Sequence, residues 1–462
     1  MNLEEKLGQL KRAAQKSTRD LALERQLEYL RRLQSPKDLP AQRVPRGIEA
    51  YVEGQLEENN WGPVFSTRQA LPFGRPYGKL RIGDISTEDF SALDLFLEGA
   101  SLPGPAELVY LDTETTGLSG GTGTCAFLIG IGAAAGAQFA IRQFFLRDYP
   151  EEKAMLAALA EALAPYKGIL TFNGKTFDLP LLETRYRLAR MESPFTRLLH
   201  LDLLHPARRL WKLRLENCNL THLEEEVVGI RRQGDVEGSE IPGIYFNYLR
   251  TGNARGLQTV FYHNALDVIT LAALGVELAR MISHVLENAA SSVGPIFGGS
   301  TTAPVRELHR DAMDGLKVEN TTLAPLHALD LFSLSRIFER AGVREHSVST
   351  CERALAAGLP ALVETRALLH LATQHKRQRQ YERAAEVWTE LTRREADYAI
   401  VALEELAIYH EHRRRDARAA LDYVETAVRR LDQTSSPQMH QQRFSRRMER
   451  LRRKLSGTLP SI

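Results

Sequence analysis

ELVYLDTETTGL, residues 107–118, begins as a strand and ends in a pattern that a buried strand tolerates poorly. Leu108, Tyr110 and Leu111 make an apolar run suited to a covered strand. Asp112 and Glu114 then follow two residues apart, so on a strand they project from one face. Two like charges on a core-facing side repel, and withdrawing each from water costs several kcal/mol. A divalent cation relieves both problems, and carboxylate oxygens suit Mg²⁺ or Mn²⁺. Taken alone, the pair also fits a solvated strand edge. Thr115-Thr116-Gly117 is a turn signal that sets it near the strand's end.

Downstream, AFLIGIGAA and QFAIRQFFLRD read as two further strands of an antiparallel meander. EEKAMLAALAEALAPY predicts a helix, GILTFNG a strand and FDLPLLETRYRLAR a helix. PARRLWKLR and LTHLEEEVV read as helical, and apolar spacing predicts a long helix over GLQTVFYHNALDVITLAALGVELARMISH. Strands first and then alternation give an α/β layered domain over 104–284.

The flanks differ. Residues 1–40 read as a charged helix, amphipathic over 3–34 through Leu7, Leu10, Leu21, Leu27 and Leu30 and stopped by Pro36 and Pro40. Residues 41–103, rich in Gly, Pro and aromatics, are expected as an irregular lead-in with short strands. Residues 285–322 read as a linker, and 323–455 as helical throughout. There HSVSTCERALAAG, YERAAEVWTEL and ARAALDYVETAV echo one another, with Ser347, Ala384 and Ala420 spaced by 37 and 36 residues. That lies near the period of about 34 for helix-turn-helix repeats, so a short α-solenoid is expected.

At 462 residues the chain calls for about three domains. No apolar run reaches the roughly 18 residues that span a bilayer, so no membrane partner is expected. The opening residues lack the apolar core of a secretory signal. Cys125, Cys218 and Cys351 are far apart; they fit a reducing cytoplasm and small buried roles. From Tyr409 onward there are thirteen Lys and Arg against six Asp and Glu. That basic end suits either nucleic-acid contact or a solvated helix face.

Two more acids stand out. Asp178 closes Asn173-Gly174-Lys175-Thr176-Phe177-Asp178, between a short strand and a helix; by itself it reads as a helix cap. His263 and Asp267, four apart on the long helix, share a face; by themselves they read as a surface hydrogen bond. In this order and on these elements, the three motifs resemble those of the DEDD exonuclease superfamily. More closely, the chain resembles bacterial YprB-type ribonuclease-H-like proteins, through LDLLHPARRLWKLRLENCNL (201–220) and HNALDVITLA (263–272).

The resemblance implies a ribonuclease-H-like α/β core, a mixed sheet flanked by helices, plus an all-α tetratricopeptide-like C-terminal domain. It implies hydrolysis of DNA or RNA phosphodiesters, as a 3′–5′ exonuclease on single-stranded ends, with two divalent cations, Mg²⁺ or Mn²⁺, about 4 Å apart. Asp112 would bridge both ions, Glu114 and Asp267 would complete one site, and Asp178 would act through water on the other. His263 is the expected base. Three residues separate it from Asp267 where the family's His subclass has four, and Tyr262 has that longer spacing.

Thr113, Asn173 and Phe177 accompany the motifs as expected substrate contacts. Arg208, Arg209 and Lys212 around Trp211 form either a patch that holds phosphates and stacks a base, or a solvated helix over a core tryptophan. Asp202 reads as a turn residue or a supporting acid. Ser119-Gly120-Gly121-Thr122-Gly123-Thr124 lacks the Gly-Lys-Ser/Thr ending of a nucleotide loop and is expected as a turn. The rival reading is a helical-repeat adaptor or nucleic-acid-binding protein with a weak or inactive nuclease core, and a third makes 323–455 a surface for a protein partner.

Overall fold

The computed structural model describes residues 47–117, 123–288, 326–434 and 437–457. The expected helix over 3–34, most of the Gly-rich turn and most of the linker lie outside the described residues.

The strands are β1 (Gln55–Asn59), β2 (Gly62–Pro72), β3 (Pro76–Tyr77), β4 (Leu80–Arg81), β5 (Leu108–Thr115), β6 (Ala126–Ala135), β7 (Gln138–Phe145), β8 (Gly168–Thr171) and β9 (Leu199–Asp202). β3 and β4 form a small pair, and the others form one mixed sheet in the order β1-β2-β7-β6-β5-β8-β9. β5, β6 and β7 are the expected antiparallel meander, while β8 and β9 add in parallel beside β5. The helices of the core are α1 (Glu152–Leu163), α2 (Asp178–Leu188), α3 (Leu204–Trp211), α4 (Ile241–Thr251) and α5 (Leu257–Glu287). This is the ribonuclease-H-like α/β arrangement.

The start of the sheet differs from expectation. The sequence places the core's beginning at 104, yet β2 is an 11-residue strand paired with β7 from Phe65↔Phe145 to Pro72↔Gln138, and β1 extends it. Its polar residues blur the alternation that marks a strand, but they have partners. Thr67 Oγ1 donates to Gln143 at 3.0 Å, and Ser66 Oγ donates to Glu57 at 2.6 Å.

The faces of β5 divide the layers. Leu108 and Tyr110 pack with Val268, Leu271 and Ala272 of α5; Val109 and Leu111 pack with Leu156 and Leu159 of α1 and Leu182 of α2. Alternation therefore turns Asp112 and Glu114 toward α5, and Thr113 toward the α2 side. Gly130, which pairs with Asp112, lets α5 come this close, because a Cβ there would collide with Asn264 Oδ1.

Beyond 326 the described chain is helical: α6 (Ala328–Arg340), α7 (Arg344–Ala356), α8 (Ala361–Arg377), α9 (Tyr381–Leu391), α10 (Ala396–Tyr409), α11 (Ala417–Arg430) and α12 (Pro437–Ser456). α6 packs on α7, α8 on α9 and α10 on α11, and the three echoing stretches are the second helix of each pair. α3 joins core to tail: Trp211 and Leu215 share a core with Leu331, Leu334 and Phe338, and Arg214 Nε donates to Asp330 at 2.8 Å.

Candidate active site

The acids of all three motifs meet at the C-terminal end of β5, where the sheet changes from antiparallel to parallel pairing. Such a switch point is the usual place for a ligand in an open α/β sheet. Asp112 and Glu114 come from β5, Asp267 from one turn of α5 and Asp178 from the first residue of α2. Oxygens of Glu114 and Asp267 and a ring nitrogen of His263 all lie within 4.8 Å of one another.

The turn before α2 is built by backbone shape. Asn173 sits at φ 66°, a conformation asparagine tolerates better than most residues. Its carbonyl accepts from Phe177 N at 3.1 Å. Asp202 accepts from Asn173 N at 2.8 Å, Lys175 N at 3.0 Å and Leu204 N at 3.0 Å, so it is a turn anchor. The turn delivers Asp178, 6% exposed, beneath β5, where Thr113 Oγ1 donates to it. Thr113 is itself buried and spoken for, which corrects its expected role as a substrate contact. Asn173 is exposed and Phe177 half-buried.

Electrostatics separate these groups. Burial, then Asp267, Glu114 and Asp178, push Asp112 well above the usual carboxylate range, against one hydrogen bond from Asn264. Burial raises Glu114 to about 8, with Asp267, Asp178 and Asp235 adding to it and His263 opposing. Burial raises Asp178 to about 6, against the Thr113 hydrogen bond. Asp267 goes the other way: burial disfavours its charge, but His263 and Arg232 outweigh that and hold it low. Burial also works against a charged His263, yet Asp267, Glu114 and Asp235 lift the ring to about 9. Carboxylates drawn wholly or partly out of water with too few internal cations, beside an imidazole nitrogen, fit a divalent cation.

Several residues here escaped the sequence reading. Asn264 Nδ2 donates to Asp112 Oδ2 at 2.8 Å, and its Oδ1 accepts from Gln143 Nε2 at 2.9 Å, which fixes the amide's orientation. Asp235 accepts from His263 Nδ1 at 2.9 and 3.0 Å. Arg232 Nη2 donates to Asp267 Oδ1 at 2.5 Å. Asn264 was within sight, inside the third motif and on the helix face of Asp267. Asp235 and Arg232 lie in a segment without periodicity and carried no signal.

The patch on α3 needs correction. Trp211 is fully buried in the core that joins α3 to the tail, so it cannot stack a base. Arg208, Arg209 and Lys212 are exposed. The Arg209 guanidinium lies 6.0 Å from the Phe96 ring. Arg209 lines a cavity of about 840 Å³ with Phe96, Glu287 and Arg340, and none of the four acids lines it. Tyr262, by contrast, is 45% exposed immediately beside His263. The three cysteines are buried and free, and among the described residues no helix is long and apolar enough to cross a membrane.

Residues 109–279 match the family model described as RNase_H superfamily. Across 354 residues, covering 76% of this chain and 75% of the other, the chain is 28% identical to the "Uncharacterized protein YprB" of Bacillus subtilis (strain 168).

Proposed function

With residues 109–279 a ribonuclease-H-superfamily domain, we propose that the protein is a divalent-metal-dependent nuclease acting as a 3′–5′ exonuclease on single-stranded ends of DNA or RNA. The observation that carries the reading is the gathering of Asp112, Glu114, Asp178 and Asp267, from three separate segments, into one site where three of them are pushed up. Natural proteins keep such a cluster where function requires it.

In this reading Asp112, Glu114 and Asp267 hold cations directly, and Asp178, fixed by Thr113, contributes from the α2 side. Two Mg²⁺ or Mn²⁺ ions would supply an activated water and stabilisation of the leaving oxygen. His263 Nε2, 3.4 Å from Asp267 Oδ2, is placed to accept the water's proton. A ring held at about 9 is already protonated at neutral pH; cations held by Glu114 and Asp267 would offset the field that keeps it there. Asn173 and Phe177 at the mouth, with Tyr262 as a stacking surface, would contact the nucleic acid. The exposed face of Arg208, Arg209 and Lys212 would meet only backbone phosphates. The unpaired, buried cysteines are consistent with a reducing cytoplasm. In the tail, paired helices like those of tetratricopeptide repeats would offer a surface to a protein partner.

The test is digestion of end-labelled DNA and RNA, single and double stranded, with Mg²⁺, Mn²⁺ or chelator. We expect a ladder that shortens from the 3′ end, needs metal and disappears with Asp112→Ala. Cleavage indifferent to both metal and that substitution would overturn the reading.

A further inference from the structure

Arg232 and Asp235 lie on a segment, residues 229–240, that has no helix or strand of its own. It leaves a π-helical turn (Glu224–Val228) through Gly229 at φ 84° and runs to α4. An irregular segment usually places its charged residues in water. Here the Arg232 side chain is 5% exposed and that of Asp235 15%.

Arg232 is anchored from behind. Its Nε donates to Glu224, whose side chain is 0% exposed and also accepts from Tyr77 Oη at 2.9 Å and Thr270 Oγ1 at 2.7 Å. In front, Nη1 donates to Asp235 Oδ2 at 3.0 Å and Nη2 to Asp267 Oδ1 at 2.5 Å. Asp235 reaches past it to the Nδ1 side of His263. A single guanidinium thus ties the carboxylate behind the ring to the carboxylate in front of it.

A neutral imidazole carries one N–H and one lone pair. Left among Glu114 and Asp267, the ring would turn its N–H toward those oxygens and lose the basic nitrogen there. Asp235 accepts on the other side and reverses that preference.

We infer that Asp235 is a positioning residue: it takes the Nδ1–H of His263, so that the Nε2 lone pair faces Glu114 and Asp267, and Arg232 holds Asp235 and Asp267 in register around the ring. The inference rests on the nuclease reading for its kinetic consequence but not for its structural one.

Asp235→Asn separates the two. Arg232 Nη1 donates to Oδ2 and Val236 N donates to Oδ1 at 2.9 Å, so the new amide meets one of them with its oxygen and the other with its NH₂; Nδ1, 2.9 and 3.0 Å from the two positions, faces an N–H donor either way. That removes the carboxylate that holds the proton on Nδ1 and favours the opposite tautomer, with the N–H turned toward Glu114 and Asp267. In full-length protein with Mg²⁺, at a pH where the ring is neutral, ¹⁵N spectra of labelled histidines report the tautomer directly, with His263 assigned by its loss in His263→Gln. We expect Nδ1–H in the unsubstituted protein and Nε2–H in Asp235→Asn. With it, kcat should fall by about 10²–10⁴-fold while KM and Mg²⁺ affinity stay within about twofold. Asp235→Glu should restore part of kcat.

Nε2–H in the unsubstituted protein overturns the inference. So does a kcat loss without a tautomer change, or Asp235→Asn turnover at the unsubstituted rate. If the unsubstituted protein cuts no nucleic acid, the nuclease reading fails, and the tautomer comparison alone still decides the role of Asp235.

Discussion

Among the described residues, the acids at the end of β5 and Glu411 in the helical tail are both drawn out of water, and they are opposites. At the end of β5, burial and mutual repulsion push Glu114 up to about 8, Asp178 up to about 6 and Asp112 well above its ordinary range. In the helical tail, the Glu411 side chain is 1% exposed, and burial alone would push it up too. It is instead held down at about 2, because Arg450 at 2.6 Å and Lys454 at 2.7 Å, with Arg447 at 3.2 Å, surround it. The chain closes the second cluster with its own cations and leaves the first short of them. A deficit of that kind is tolerable where charge arrives from outside, which is why the first cluster reads as a site and the second as a clasp.

Asp112→Asn tests the contrast hardest. Cleavage should fall by about 10³-fold or more, over 4 kcal/mol of barrier. Stability should move the other way. A carboxyl with a raised folded-state pKa favours folding less as pH rises above the unfolded value, so at pH 7 the cluster opposes folding. The metal-free variant should melt about 2–6 °C higher. Excess Mg²⁺ or Mn²⁺ should stabilise the unsubstituted protein, by about 2.7 kcal/mol at a hundredfold excess over Kd, and the variant much less. A metal-free variant that melts lower would mean that the chain already compensates Asp112, and the contrast would break.

The same shifts fix a pH dependence. At pH 7 Glu114, at about 8, and His263, at about 9, both hold protons that bound cations must displace. Apparent affinity for Mg²⁺ or Mn²⁺ should therefore rise between about pH 6 and 9, by up to about tenfold per unit for each proton released. Calorimetry at pH 7 in buffers of different ionisation enthalpy should show that release. Affinity flat with pH would mean that neither group belongs to the metal site.

What the sequence made legible follows from range. Asp112 and Glu114 are a strand pattern, and His263 and Asp267 a helix pattern, so their shared faces can be read locally. That these faces meet needs the family motifs. Asp235 and Arg232 reach His263 and Asp267 across 28 and 35 residues from irregular backbone, with no periodicity to mark them. β2 was hidden because its polar residues find partners across the sheet. Trp211 stays open in the sequence for a similar reason: its neighbours on α3 are charged, and only the tail, which begins more than a hundred residues on, shows why the ring is buried. The basic end is the instructive middle case. Its surplus was plain, but much of it is spent inside the tail, on Glu411, on Glu404 through Arg443 and on Glu425 through Arg452.

Glu411→Gln gives the smallest effect and sharpens the comparison from the other side. It leaves Arg447, Arg450 and Lys454 facing a neutral amide. These cations keep partial access to water, which softens the loss, so the cost should be about 1–3 kcal/mol. Looser docking of α12, which these cations anchor, should appear as faster amide exchange over Pro437–Ser456. Because Glu411 has a lowered folded-state value, its contribution is complete above the ordinary carboxylate range and fades as pH falls toward about 2. The substituted tail should lack that acid-dependent loss. Metal-dependent cleavage should stay within about twofold, since no cation of this clasp reaches the four acids. If Glu411→Gln cripples cleavage instead, the tail takes part in the reaction, and the two clusters are coupled rather than opposed.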